Sequence, residues 1–150
     1  MQKRTSYAIS VLLAFWMPAQ ILSERPKQST EEVVKEALAA IEKGDGELIE
    51  GMRDKIKTQH LAPIAATWKA SFPWSKKDWY IALLMDHQDP ILTPMMEDAL
   101  DSPTAESRAY ALMILKKDFS LHKDLWTKSG WIIPAKVDEA VKKYRAEKKK

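Results

Sequence analysis

The sequence predicts an all-α protein, a short right-handed stack of antiparallel helix pairs of the α-solenoid kind. Three observations carry that expectation. Apolar residues recur at helical spacing in one segment after another, and no segment sustains the two-residue alternation of a half-buried strand. Residues 109–115, "AYALMIL", are apolar without a break, as on a helix enclosed around most of its circumference. The chain also matches itself at a fixed shift. Sliding it by 29 sets Ile81–Met85 over Tyr110–Ile114 and Asp89 over Asp118, and sliding it by 31 sets Leu61, Pro63 and Ile64 over Leu92, Pro94 and Met95. Helical periods of about 20 to 50 residues mark stacked repeats, in which a middle helix touches both its own partner and its neighbours.

The first helix is announced by Ser29 with Glu32 three residues on, a capping box, and carries Val33, Val34, Ala37, Leu38 and Ile41 on one face. Gly44 stands where a helix ends in a left-handed residue. Leu48, Ile49, Met52 and Ile56 mark the second helix. "LAPIAATW" places Pro63 in a first turn, with Ile64, Ala65 and Trp68 apolar. Ser75 and Asp78 open the next helix, whose Trp79–Met85 run is unbroken. Pro94 leads into "MMEDAL", and Ser102 before Pro103 reads as an N-cap and first-turn proline for the helix that follows. After Gly130, "WII" is an extended lead-in, and Pro134 starts a last helix bearing Val137, Ala140, Val141 and Tyr144.

The whole is expected to be one domain behind a leader. "MQKR" is a basic n-region and Tyr7–Met17 an uncharged apolar stretch of signal-peptide length, so residues 1–23 are read as a signal peptide and residues 24–150 as the domain. The protein is then exported, periplasmic or secreted, or membrane-anchored if the leader is not cut. There is no cysteine, which excludes disulfides and thiolate metal sites, and no asparagine, which excludes N-glycosylation. Stability must come from the core.

The net charge of +3 is unevenly spread. Residues 142–150, "KKYRAEKKK", hold six bases against one acid, while residues 24–141 come to about −4. An acidic body with a basic tail lacks the basic face that phosphate neutralisation demands, so nucleic acid is not an expected partner. The tail itself suits a solvated helix end, or weak attraction to an anionic membrane surface.

Residues 89–115, "DPILTPMMEDALDSPTAESRAYALMIL", resemble the short HEAT-type helical repeat of phycobilisome-lyase relatives and many bacterial proteins. Asp89-Pro90 forms the first turn, Thr93-Pro94 the helix start, Asp101-Ser102-Pro103 the second turn, and Arg108, Ala111 and Leu115 lie on the second helix. The resemblance extends over about residues 79–121. It implies a HEAT-like stack, a likeness of fold more than of function, because the same repeat serves lyase partners, scaffolds and regulators. Two departures stand out: Ser107 occupies a position usually β-branched and apolar, and Asp78 or Trp79, not a base, aligns with Arg108 one repeat back.

Catalytic chemistry is not expected. His60, His87 and His122 do not align under the repeat, so neighbouring helices do not gather them as metal ligands. Glu97 with Asp98, and Asp138 with Glu139, are adjacent pairs that a helix points to different faces. No phosphate loop, nucleophile elbow or zinc-protease motif occurs, and no cofactor is implied. The tryptophans are the remaining signal. Trp68, Trp74 and Trp79 cluster, and Trp126 and Trp131 flank "TKSG". Trp74 and Trp131 fall in expected turns outside the amphipathic pattern, which makes them the candidate anchors for a protein partner. The competing expectation is an enzyme or polymer-binding subunit acting on envelope glycan, with two exposed tryptophans beside an acid as its signature.

Overall fold

The computed structural model describes residues 27–150, so the expected leader, residues 1–23, lies outside the described residues. Eight α-helices follow one another: α1 (Thr30–Lys43), α2 (Gly46–Arg53), α3 (Thr58–Ala65), α4 (Trp74–Leu84), α5 (Thr93–Ala99), α6 (Ala105–Lys116), α7 (His122–Leu125) and α8 (Pro134–Lys148). Among the described residues there is no strand, only an isolated antiparallel bridge between Trp126 and Ile132. The fold is all-α, as expected. No helix of the described residues is long and apolar enough to cross a membrane.

Several boundaries follow from local chemistry. Ser29 Oγ accepts the Glu32 N–H while the Glu32 carboxylate accepts the Ser29 N–H at 2.8 Å, the capping box anticipated for α1. Gly44 ends α1 at φ 62° and donates to the Ala40 and Ile41 carbonyls. Asp45 at once caps α2, accepting the Glu47 and Leu48 N–H groups.

Other boundaries differ from expectation. Helix α3 begins at Thr58, so Pro63 lies inside it and not in its first turn. The start is set by an imidazole, since His60 Nδ1 accepts the Lys57 N–H at 2.8 Å. Proline there removes one backbone donor, and the helix lasts only two residues beyond it. Trp74 is not in a turn: it is the first residue of α4. Helix α6 starts at Ala105 with Thr104 as N-cap, which leaves Ser102 and Pro103 in the preceding turn. Ser102 Oγ still accepts a backbone N–H, that of Thr104, but it closes a turn and not a helix. Residues 142–148 are no separate tail; they continue α8, with Tyr144 buried and donating to Glu97.

The internal match reappears as duplicated local structure. After α4, Asp89 caps a 3-10 turn, Pro90–Leu92, that runs into α5, its carboxylate accepting the Ile91 N–H. After α6, Asp118 caps a second 3-10 turn, Phe119–Leu121, that runs into α7, accepting the Ser120 N–H. Leu61, Ile64, Leu92 and Met95 are all buried, and Pro63 and Pro94 are both exposed.

Helix α2 packs on α4, α4 on α6 and α6 on α8, while α1 packs on α2, α3 and α4. Helix α6 also touches α5 and α7. That explains its sequence: all seven residues of 109–115 are buried or half-buried. A helix with neighbours on four flanks has no face left for water.

His60 gives the fold a pH dependence. Burial pushes its imidazole below the ordinary value of 6.5, and the Lys57 ammonium pushes the same way. The unfolded chain therefore binds the proton more readily than the folded one. The contribution is whole above about pH 6.5 and is lost as pH falls through the folded value. His60→Gln keeps an acceptor at the third helical position and removes the titration. Its melting temperature should fall less than that of the wild type between about pH 7 and pH 5; parallel declines would show that His60 is not the group concerned.

Candidate functional site

A groove of about 600 Å³ runs across α2, α4 and the start of α6. Its apolar surface comes from Trp79 and Ala82 of α4, Met85 just after it, Ile49 of α2 and Tyr110 of α6. Trp79 can lie low because Gly44 lies beneath it. A Cβ on Gly44 would sit 2.9 Å from Trp79 Nε1, whereas one on Gly46 would meet the ring at an ordinary 3.7 Å. Gly44→Ala therefore combines a left-handed residue with a collision and should cost about 1–2 kcal/mol from the backbone alone. Gly46→Ala, at a helical position, should be neutral or slightly stabilising. Thermal melts with tryptophan emission distinguish them, and equal effects would mean that the ring does not rest on Gly44.

The polar groups of the groove divide into used and unused. Asp78 is fully engaged: Ser107 Oγ donates at 2.7 Å and Ser102 Oγ at 3.1 Å to one oxygen, and Thr104 Oγ1 donates at 3.0 Å to the other. The two departures from the repeat pattern are thus partners of each other. The buried Ser107 hydroxyl answers Asp78, 29 residues earlier and one helix away. Arg53 is paired with Asp86, both Nε and Nη2 donating to one carboxylate oxygen. Glu50 and Glu106, both exposed on the rim, have no ion-pair partner among the described residues. Burial raises the Tyr110 phenol above its usual range, and the Glu106 carboxylate adds to the shift. It stays neutral at ordinary pH.

The two tryptophans singled out by sequence part company. Trp131 is 74% exposed, the most exposed large apolar side chain among the described residues. It stands on a tight loop: Thr127 donates to the Trp131 carbonyl at 2.7 Å, and Gly130 takes φ 83° to close the turn. The loop is rooted by Trp126, buried and packed 5.3 Å from the Tyr110 ring of the groove wall. Trp74 is half-buried, and its ring covers the Lys77 ammonium at 4.3 Å. Lys77 is 3% exposed, donates to Asp98 at 2.7 Å and lies 5.3 Å from the Trp68 ring. Trp74 is therefore part of an internal cage. The structure does not bring Trp74 and Trp131 together in one cleft.

The histidines are scattered. His60 caps α3, His87 follows α4, and His122 starts α7 with its ring stacked 4.3 Å from Trp126. No group of three histidine, aspartate or glutamate side chains that could hold a metal ion occurs among the described residues. Glu97 and Asp98 serve different partners, Tyr144 and Lys148 for the first, Lys77 and Trp68 for the second. Burial pushes the Glu97 carboxyl up, but hydrogen bonds from Lys148 and Tyr144 outweigh it and hold it below its usual range. Glu97 is thus an ionised anchor for α8.

Missed by sequence reasoning were the groove itself and the Lys77 cage. The groove had a readable signal: two aromatics, Trp79 and Tyr110, separated by about one repeat. Comparison with family models, curated proteins and solved structures finds no match to this chain.

Proposed function

We propose that the protein is an exported, non-catalytic helical-repeat module of HEAT-like, right-handed stacking, and that it binds a protein partner in the cell envelope or outside the cell. The groove over α2, α4 and α6 carries this reading. Its apolar floor is offered by successive helices of one row, and its rim presents two carboxylates without ion-pair partners among the described residues. The partner segment that fits is one with an apolar anchor flanked by basic residues. Support for the stack comes from the even-numbered row of helices and from the duplicated Asp-capped 3-10 turns. Trp131, exposed on the loop that Trp126 roots against Tyr110, is a second candidate anchor. The glycan-acting alternative asks for two exposed tryptophans beside an acid. Among the described residues Trp131 is the one tryptophan classed as exposed.

The test is capture of a partner from the envelope fraction by the full chain, followed by titration of that partner against variants. Glu50→Arg with Glu106→Arg should abolish capture, and Trp131→Ala should weaken it about thirtyfold, as for loss of an aromatic anchor worth ~2 kcal/mol. His87→Ala should bind normally. Undiminished binding by the double charge reversal and by Trp131→Ala would remove the groove from the account. A measurable turnover lost in a histidine variant would replace the reading with an enzymatic one.

A further inference from the structure

On the other flank of α6, between it and α8, lies a second pocket of about 510 Å³. Leu100 and Val141, both buried, give it an apolar base. Arg108 of α6, Lys142 and Arg145 of α8, and Lys149 at its C-cap line it. The last three follow one another at three and four residues, the spacing that lines side chains along one face of a helix. Two of these cations already have carboxylate partners: Arg108 Nη2 donates to Asp138 and Arg145 to Asp101, each at 2.7 Å. Those carboxylates are 62% and 65% exposed. Lys142 and Lys149 have no ion-pair partner among the described residues. Four bases against two acids leave two positive charges uncompensated around one pocket.

A second observation comes from Arg108. Its Nη1 donates to the Ser102 carbonyl at 2.6 Å, but its Nε is the one buried side-chain nitrogen or oxygen without a hydrogen-bond partner among the described residues. Such groups are few in folded proteins.

We propose that the α6–α8 pocket binds a phosphate monoester, with Arg108, Lys142, Arg145 and Lys149 as its ligands. A phosphate monoester near neutral pH carries about 1.5 to 2 negative charges and three acceptor oxygens. That matches the excess charge and offers an oxygen to cations arriving from two helices. A single carboxylate supplies half the charge and one plane of acceptors. The apolar base accommodates the carbon skeleton of the ester. The phosphate could be carried by a soluble ester or by a lipid headgroup, and the chemistry at the pocket is the same.

The experiment titrates the full chain with glycerol 3-phosphate, with malonate as a dianion without phosphate, and with phosphatidylcholine vesicles with and without phosphatidic acid. Saturable binding is expected for glycerol 3-phosphate or for the phosphatidic acid vesicles. The first outcome assigns a soluble ester, and the second alone assigns a headgroup. Lys142→Gln with Lys149→Gln should weaken binding about tenfold or more, in line with the attraction each lysine contributes toward an anionic surface. Lys136→Gln with Lys143→Gln removes the same charge from residues of α8 that do not line the pocket, and should leave binding within about twofold. All four lysines are exposed, so melting temperatures are expected to be unchanged. Equal losses in the two double variants, malonate binding as tight as the phosphate ester, or no saturable binding to any probe would each overturn the proposal.

Discussion

Leu112→Ala lowers the unfolding free energy by roughly 2–5 kcal/mol, the range for truncating an enclosed leucine. Leu112 is 1% exposed at the middle of α6, the helix that touches α4, α5, α7 and α8. Four neighbours restrict how far the surroundings can collapse into the space left, which pushes the cost upward within that range. Domains of this size hold about 5–15 kcal/mol in total, so the loss takes a large fraction of the reserve. Lys149→Ala, on the exposed end of the chain, should stay within about 0.5 kcal/mol of the wild type. Urea melts decide it. Coincident midpoints for the two variants would mean that α6 is not the enclosed element its contacts make it.

The enclosure of α6 was legible because it leaves a local trace: seven apolar residues in a row on a helix leave no polar side to face water. The capping box at Ser29, the left-handed Gly44 and the paired Asp89 and Asp118 were legible for the same reason. Each acts through backbone groups a few residues away. What failed acts at longer range or through an unusual group. The start of α3 escaped notice because an imidazole, not a small N-cap side chain, accepts the Lys57 N–H. Trp74 read as a turn residue because Pro73 precedes it and polar residues follow. Its role depends on Lys77 and thence on Asp98, 21 residues away in the chain.

The Asp78–Ser107 pair lies between these cases. Each residue departs from the repeat pattern, and the two are one period apart. Their separation of 29 residues, the shift of the internal match, was readable, but that the two side chains meet is seen only in the structure. What the sequence did not contain was the geometry that adds Ser102 and Thr104 to the same carboxylate.

Asp98→Ala should be the most damaging single change to a charged residue, by about 3 kcal/mol or more. It removes the acceptor of one buried and one half-buried residue, since Asp98 Oδ2 takes both the Lys77 ammonium at 2.7 Å and the Trp68 indole N–H at 3.1 Å. The lysine side chain is 4% exposed and cannot turn out to water without moving the Trp74 ring that covers it. Two indole faces soften the loss, because a desolvated cation over such a ring gains up to about 2 kcal/mol. The carboxylate is itself 31% exposed, so water can enter where it stood and keep the cost at the lower end for a broken buried pair. The identity of the liability is testable. Adding Lys77→Met to Asp98→Ala leaves an apolar chain between the same two rings and no stranded charge, so the double variant should recover most of the lost stability. If it is no more stable than Asp98→Ala alone, the damage lies with the Trp68 N–H and not with Lys77. Trp74→Ala belongs to the same cycle. It should lower stability by uncovering Lys77, and a partner that binds at Trp131 should bind the folded Trp74 variant undiminished, because the Trp74 ring is taken up by the Lys77 ammonium.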